Sequence, residues 1–217
     1  MATVTEAATN EILVQASHPT TRHRVDLQLI ASLIPDNSNV LDLGCGDGEL
    51  LQMLITEKGV RGTGVEISEE GVQQCIARGV PVQHADLDEG LRDYADGSFD
   101  YVVLSQTLQA VRKPLLVLRE MLRVGRRGVV SFPNFGHWRV RWMFVSSGRM
   151  PKTRSLPYEW YDTPNIHLST VRDFEDLCKS ESIRIDRALY LSGGREITFW
   201  PNLRAEIALF VVERRKD

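Results

Sequence analysis

The sequence has few cysteines and no long apolar run. Only three of its 217 residues are cysteine, at positions 45, 75 and 178, and no two of them are close in the chain. An odd number of widely spaced cysteines argues against a disulfide framework and against a zinc knuckle. No run of eighteen apolar residues occurs, so the sequence predicts no membrane span. We therefore expect a cytoplasmic protein with reduced thiols, no metal and no membrane partner.

The sequence also has no excess of basic over acidic residues. Twenty-six basic residues face twenty-nine acidic ones, and the resulting net charge of −3 gives no overall field that would attract nucleic acid. The first fifteen residues lack the basic start and apolar block of a secretory signal. We expect residues 1–20 to be poorly ordered and residues 21–217 to form a single domain, because this length supports one sizeable core.

A dinucleotide-binding glycine fingerprint is missing, but a related glycine-rich turn is present. Residues 40–48 read Val-Leu-Asp-Leu-Gly-Cys-Gly-Asp-Gly, an apolar strand followed by a glycine at every second position. Such a turn lets a ligand approach the backbone closely before a helix begins. The dinucleotide fingerprint needs a glycine at position 49, where this chain has Glu49. Asp42 and Asp47 flank the glycines, and their charge disfavours a pyrophosphate but not a cationic ligand.

Strand and helix patterns alternate along the chain. Alternation of this kind predicts parallel strands joined by right-handed helical crossovers, hence a doubly wound α/β sheet. The predicted strands are 39–44, 60–67, 81–86, 98–105, 127–132, 183–191 and 207–212, and the predicted helices are 22–34, 47–57, 69–78, 113–124 and 171–180.

The glycine turn resembles motif I of the class I S-adenosylmethionine-dependent methyltransferases. The resemblance implies a three-layer Rossmann-like fold whose sheet has seven mostly parallel strands and an antiparallel C-terminal strand. It implies that Glu66 accepts hydrogen bonds from ribose hydroxyls and that Asp86 faces an adenine amino group, although Asp88 and Glu89 leave the adenine assignment open. The residues expected to bind S-adenosylmethionine or S-adenosylhomocysteine are Asp42, Gly44, Cys45, Gly46, Asp47, Gly48, Glu66, Ile67, Asp86, Leu87 and Gln106.

Residues 131–168 interrupt the alternation with prolines, arginines and three of the four tryptophans, and we expect an aromatic cap over about 133–168. Phe135, Trp138, Trp142 and Val145 recur at helical spacing. Two interpretations are open: the stripe packs on the sheet, or it binds a partner, since Trp, Tyr and Arg are enriched at interface hot spots. The partner-binding candidates are Trp138, Arg141, Trp142, Tyr158, Trp160 and Tyr161.

His167 is the one candidate for a catalytic base. It lies just ahead of a helical pattern that Thr170 would cap. An imidazole titrates near neutrality and can accept a proton from a methyl acceptor, but a lone histidine is more often a hydrogen-bonded structural residue. The neutral side chains of Gln106, Thr107 and Gln109 after the fourth strand are poorly suited to deprotonating an acceptor.

Several motifs together resemble the MetW family of methionine biosynthesis. They are Ser-Gln-Thr-Leu-Gln at 105–109, Ser-Phe-Pro-Asn-Phe-Gly-His-Trp at 131–138 and Trp-Tyr-Asp-Thr-Pro-Asn-Ile-His at 160–167. This resemblance implies an accessory or regulatory subunit that works with a homoserine O-acyltransferase. The chain has no Gly-x-Ser-x-Gly nucleophile motif, so the acyl chemistry would belong to the partner. The alternative is an active methyltransferase on a small molecule, with the aromatic cap as its substrate lid.

Overall fold

The computed structural model describes residues 22–153 and 155–215. The expectation for residues 1–20 lies outside the described residues. Between 22 and 215, apart from residue 154, no helix is long and apolar enough to cross a membrane. The helices are α1 Arg22–Leu33, α2 Glu49–Lys58, α3 Glu69–Ala77, α4 Pro114–Val124, α5 Trp138–Ser147, α6 Val171–Ser180 and α7 Pro201–Arg204. The strands are β1 Asn39–Leu43, β2 Arg61–Glu66, β3 Val82–His84, β4 Phe99–Ser105, β5 Gly125–Pro133, β6 Ile183–Ser192, β7 Arg195–Glu196 and β8 Ile207–Arg214.

All the described strands belong to one mixed sheet, in the order β3-β2-β1-β4-β5-β8-β6-β7. The pairs from β3 to β5 are parallel, and β8 runs antiparallel to both β5 and β6. The predicted α/β fold with an antiparallel C-terminal strand is confirmed. The sheet has one strand more than predicted, because Gly193 and Gly194 take positive φ angles and fold the two-residue strand β7 back on β6. Two residues are too few to show an alternating pattern.

Two apolar layers cover the sheet, one on each face. Neighbouring residues of a strand point to opposite faces, so Leu41 and Val102 join the layer that contains α4 and α6, whereas Val40 and Val103 join the layer with α1 and α2. Burial on both faces explains why the central strands read as continuous apolar runs. These layers hold the carboxyl ends of β1, β2 and β4 in fixed register.

A buried side-chain amide ties the carboxyl end of β5 to two helices. Asn134, which is 2% exposed, donates from Nδ2 to the carbonyl oxygens of Asn202 (3.1 Å) and Ala205 (2.8 Å). Its Oδ1 accepts hydrogen bonds from the main-chain N–H groups of Gly136 (2.9 Å) and Val171 (3.3 Å). All the hydrogen-bonding capacity of this amide is directed at the turn before α5, at α6 and at α7.

Replacement of Asn134 by Ala is expected to lower the free energy of unfolding by about 2–4 kcal/mol, because four buried main-chain groups lose their partner. For a domain of this size, that loss corresponds to a fall in melting temperature of roughly 5–15 °C. Differential scanning calorimetry measures it. Asn165→Ala is the matched control, since the one hydrogen bond given for Asn165 among the described residues is made by its main-chain N–H, to Thr163 Oγ1. Equal melting temperatures for the two variants would contradict the assignment.

Candidate functional site

The candidate site lies where the carboxyl ends of β1, β2 and β4 meet. In the sheet, β2 and β3 lie on one side of β1, and β4 and β5 lie on the other side. The direction in which successive strands are added therefore reverses at β1. Ligands of open α/β sheets bind at such a point. Two adjoining clefts of about 200 and 230 Å³ open here, and both are lined by Gly44, Gln106 and Thr107. The fold therefore brings ten of the eleven predicted cofactor residues to the lining of these clefts, and the exception is Gly48.

The glycine turn forms the wall between β1 and α2. Gly44, Gly46 and Gly48 have φ angles of 72°, 57° and 78°, which side chains rarely adopt. A Cβ on Gly44 would lie 2.6 Å from Cγ2 of Thr107, so the turn also packs directly on the loop that follows β4. Because Gly48 is left-handed, α2 begins at Glu49, two residues later than predicted.

Glu66 is buried at the end of β2, and its carboxylate is held by main-chain donors. Oε2 accepts from Gly46 N at 2.8 Å, and Oε1 accepts from Ile67 N at 3.0 Å and from Ser68 N at 2.8 Å. Gly71 leaves the space for this arrangement, since a Cβ there would lie 2.9 Å from Cγ of Glu66. The side chain thus lines the second cleft and also holds the glycine turn against β2.

Asp42 is a buried carboxyl group in the wall of the first cleft. Its Oδ1 has no hydrogen-bond partner among the described residues. Burial raises the pKa of Asp42 to about 7, and the nearby charge of Glu66 adds to the rise. An acid of this strength exists in both protonation states near neutral pH.

Asp86 and Leu87 line the second cleft, as predicted for the adenine side. Oδ1 of Asp86 caps the short 3₁₀ turn by accepting from Asp88 N at 2.8 Å, and Oδ2 lies 3.3 Å from Nη2 of Arg112. Asp88 points its carboxylate at the main-chain N–H groups of Arg112 (3.0 Å) and Lys113 (2.6 Å), which lowers its pKa against the effect of burial. Glu89 is exposed and does not line the cleft. Asp86 is therefore the acid of this segment that is not committed to holding α4.

The remaining predicted residues lie at the entrance of the clefts. Asp47 pairs with Arg78 at 2.7 Å and accepts from Glu49 N at 3.2 Å, and Ile67 is exposed beside Glu66. Gln106 has a φ angle of 54° and donates its main-chain N–H to Ser131 O at 2.9 Å. A non-glycine residue in this backbone region marks local strain, which is common at binding sites.

The lining of both clefts is acidic. No lysine, arginine or histidine is among the described residues that line them. A wall of this kind attracts a cation and repels phosphate groups. The carboxylates that line the clefts are Asp42, Asp47, Glu49, Glu66, Asp86 and Asp88.

Two buried thiols meet under the glycine turn, which the sequence spacing did not indicate. The Sγ atoms of Cys45 and Cys75 are 3.7 Å apart, and Cys75 Sγ lies 3.3 Å from Gly46 O. Burial is the main cause that raises the pKa of both thiols. Both are therefore neutral at physiological pH and pack as small apolar groups. In the described part of the chain, no group of three or more His, Cys, Asp or Glu side chains could hold a metal ion.

His167 lies next to the cleft loop but does not line either cleft. Its main-chain N–H and that of Ile166 donate to Gln109 O at 3.0 and 2.9 Å, and Gln109 Nε2 donates to Gln106 O at 2.8 Å. The buried Nε2 of His167 has no hydrogen-bond partner in the described residues, and neither do Gln106 Nε2, Gln109 Oε1 and Ser169 Oγ. The hydrogen bonds that the described residues make with His167 and Ile166 are therefore made by the main chain.

The aromatic stripe does not pack on the sheet. Trp142 and Val145 on α5 are 66% and 81% exposed, and Trp138 is exposed as well. Phe135, the fourth residue of the stripe, is half-buried ahead of the helix. The packing interpretation is therefore wrong for the three residues on α5, whose only buried residue is Val140.

We define the aromatic segment as residues 138–161, which hold all six partner-binding candidates. Tyr158, Trp160 and Tyr161 are exposed in the loop after α5, and Trp160 reaches 72%. Arg141 is exposed too, but its Nε donates to Gly136 O at 2.6 Å and is thereby engaged within the chain. Sequence reasoning missed a further exposed pair, Phe199 and Trp200, whose rings stack at 4.8 Å. Trp200 has a positive φ angle of 51°, and no sequence pattern predicts that angle.

Comparison with known families and proteins finds a matching family and a similar protein. The profile of the family described as methionine biosynthesis protein MetW matches residues 24–212. The chain is 37% identical over 203 residues to the bifunctional methionine biosynthesis protein MetXA/MetW of Rhodopirellula baltica. That alignment covers 88% of this chain but only 33% of the relative, so the chain spans about a third of that protein's length.

Solved methyltransferases share the fold. A SAM-dependent methyltransferase from Archaeoglobus fulgidus matches with a TM-score of 0.68 at 16% identity, covering 94% of this chain and 99% of the other. An S-adenosylmethionine-dependent methyltransferase from Mesorhizobium loti gives 0.66 at 19% identity, with 90% and 99% covered. At these identities the likeness shows the class I methyltransferase fold alone.

Proposed function

Since the chain belongs to the MetW family of methionine biosynthesis proteins, we propose that it is a cytoplasmic regulatory subunit. It binds S-adenosylmethionine or S-adenosylhomocysteine and acts with a homoserine O-acyltransferase whose activity it adjusts. The observation that carries the proposal is the pair of acidic clefts at the point where the strand order reverses. The same chain exposes the aromatic residues of its aromatic segment to solvent.

The donor and acceptor groups of the clefts support the proposed ligand. Six carboxyl groups and no basic side chain line the clefts, while Asp47, Asp86 and Asp88 pair with arginines outside the lining. Such a lining suits a ligand that carries positive charge and no phosphate. Glu66, once fixed by three main-chain donors, can still accept a hydrogen bond from a ribose hydroxyl through the one lone pair that remains on Oε2. Asp86 would meet the adenine amino group, with Leu87 against the ring. The neutral, unoxidised thiols of Cys45 and Cys75, only 3.7 Å apart, suit the reducing cytoplasm.

The relative from Rhodopirellula baltica supports the proposed partner. Its name joins MetXA and MetW in one bifunctional protein, and this chain matches about a third of it. Two functions in one polypeptide are held at a high effective concentration, which is useful when they act together. We propose that the present chain makes the same association through the aromatic segment, where Trp142 and Trp160 would be buried against the acyltransferase.

Regulation requires that the ligand bind two states of the complex with different affinity. Gln106 lines both clefts, and Gln109 connects the same loop to residues 166 and 167 at the end of the aromatic cap. We propose that ligand contacts at Gln106 shift this loop and thereby change the position of the aromatic cap relative to the partner. S-adenosylmethionine is made from methionine, so the pathway's own product would provide the signal.

Titration calorimetry with S-adenosylmethionine and S-adenosylhomocysteine, with and without the acyltransferase, tests the proposal. We expect saturable binding at one site, an affinity that differs when the partner is present, and an acyltransferase activity that changes only when protein and ligand are both added. The proposal fails if neither ligand binds, or if the two proteins do not co-purify and the acyltransferase activity is unchanged.

The second candidate function is methyl transfer to a small molecule. Two structural features favour it: the methyltransferase fold and the unpartnered Nε2 of His167 beside the cleft loop. S-adenosylmethionine would supply a methyl group on a positively charged sulfur. His167 would accept the acceptor's proton at Nε2, while Gln106 and Gln109 would orient the acceptor by hydrogen bonds. Incubation with methyl-labelled S-adenosylmethionine and cell extract distinguishes the two functions, because robust turnover to a labelled product would exclude a purely regulatory role.

A further inference from the structure

Asp42 differs from the other carboxyl groups of the clefts in combining three features. It lies in the wall of the first cleft, it is buried, and one of its carboxyl oxygens has no partner in the described residues. A structural carboxylate at this depth would be expected to use both oxygens, as Glu66 does. A buried and unpartnered oxygen is costly to keep, so its place beside a ligand cleft points to a ligand that compensates for it.

We propose that Asp42 senses the charge of the ligand: it keeps its proton while the cleft contains no cation and releases the proton to solvent when a positively charged sulfonium or ammonium group enters. The inference rests on the proposed ligand, and it adds a proton to the binding equilibrium. It makes the affinity for the cofactor depend on pH and on the positive charge that the ligand carries.

The surroundings of Asp42 explain why an empty cleft favours the proton. Glu66 faces it from β2 and disfavours a second negative charge, and the thiols of Cys45 and Cys75 add no positive charge. From the helices, Asp47 and Glu49 at the start of α2 line the same cleft, and α1 contributes Leu27, next to the buried Asp26. From β4 and its loop come only neutral side chains, namely Val103, Ser105, Gln106 and Thr107.

The direction of the effect follows from the protonation of Asp42 in the free protein. With a pKa of about 7, the carboxyl group is about nine-tenths protonated at pH 6 and about one-tenth protonated at pH 8. A cation stabilises the ionised form and lowers this pKa, so its binding releases nearly one proton at pH 6 and almost none at pH 8. By linkage, the association constant of such a ligand rises about tenfold from pH 6 to pH 8 and changes little above.

The test measures proton release directly, by calorimetry at pH 6 and pH 8 in two buffers with different ionisation enthalpies. Three probes separate the sources of positive charge: S-adenosylmethionine carries a sulfonium and an ammonium group, S-adenosylhomocysteine only the ammonium, and 5′-methylthioadenosine neither. Release with S-adenosylmethionine alone identifies the sulfonium as the trigger, and release with the first two identifies the ammonium. Both outcomes support the inference, whereas no release, or equal release with all three probes, overturns it.

Asp42→Asn isolates the contribution of this residue, since His84 also lies near the second cleft, with its ring 2.8 Å from Ile67 O. We expect the variant to lose the proton release and the tenfold pH dependence. Asp42 ionises near pH 3.8 in the unfolded chain but only near pH 7 in the fold, so the fold loses stability as the pH rises over this range and the full loss is present at pH 8. The variant's melting temperature at pH 8 is therefore expected to equal or exceed that of the unmodified chain. Asp176→Asn, at an exposed carboxylate paired with Lys179, is the matched control and should behave like the unmodified chain.

Unchanged proton release in Asp42→Asn would overturn the inference while leaving the binding proposal intact. Absence of binding by all three probes would remove the binding proposal itself, and the inference with it.

Discussion

Glu66→Ala is expected to weaken binding of S-adenosylmethionine by a factor of about 10 to 100. Main-chain donors occupy three of the four lone-pair sites of the carboxylate, so the ribose would use the remaining one, and a hydrogen bond to a charged acceptor contributes about 1.5–3 kcal/mol. The substitution also frees the main-chain donors of Gly46, Ile67 and Ser68, so the glycine turn loses its attachment to β2. Calorimetric titration of the folded variant measures the loss.

Two further variants separate ribose recognition from support of the turn. Glu66→Gln keeps one carbonyl oxygen but replaces the other with an amide group that cannot accept, so we expect an intermediate affinity. Glu69→Ala removes an exposed carboxylate three residues along and serves as the control, with affinity expected within twofold of the unmodified chain. If Glu66→Ala binds as tightly as this control, the ribose assignment is wrong.

Alanine at Trp142 or Trp160 is expected to weaken association with the acyltransferase by about 30-fold for each substitution. Tryptophans at the centre of an interface contribute 2 kcal/mol or more, which is about that factor. Both side chains are more than 60% exposed in the free chain, so neither substitution removes core packing. We therefore expect the stability and the affinity for S-adenosylmethionine to stay unchanged, which calorimetry and thermal unfolding would confirm alongside the binding assay.

Ile76→Ala provides the matched control for the aromatic segment. Ile76 is an exposed apolar residue on α3, outside residues 138–161, and its exposure of 66% equals that of Trp142. If all three variants bind the acyltransferase equally well, the aromatic segment is not the docking site. A uniform loss in all three would point to non-specific apolar contact instead.

Much of the fold could be predicted because the signals that specify it are local. The alternation of apolar strands with helical patterns placed every long strand, and burial on both faces makes those runs easy to see in β1 and β4. The ends of elements were less accurate, since they depend on backbone angles such as that of Gly48, which delays α2. The pair formed by β6 and β7 depends on Gly193 and Gly194, and its two residues leave no pattern to detect.

The candidate site divides in the same way. The resemblance to the class I methyltransferases indicated Glu66 and Asp86, and both side chains line the second cleft. The approach of Cys45 to Cys75 and the isolation of Asp42 depend on contacts between distant segments, which no spacing reveals. The exposure of Trp142 could not be predicted either, because helical spacing shows that an apolar stripe exists but not what covers it.

The hydrogen bonds of the Asn134 side chain connect α5 with the wall of the clefts. Its amide fixes the turn before α5 to α6 and α7, and Ser131, three residues earlier on β5, accepts the main-chain N–H of Gln106 at 2.9 Å. From the start of α5 to the cleft wall, the described chain is therefore held by strand hydrogen bonds and by this buried amide. We expect a tilt of α5 to reach Gln106 largely as a rigid-body motion.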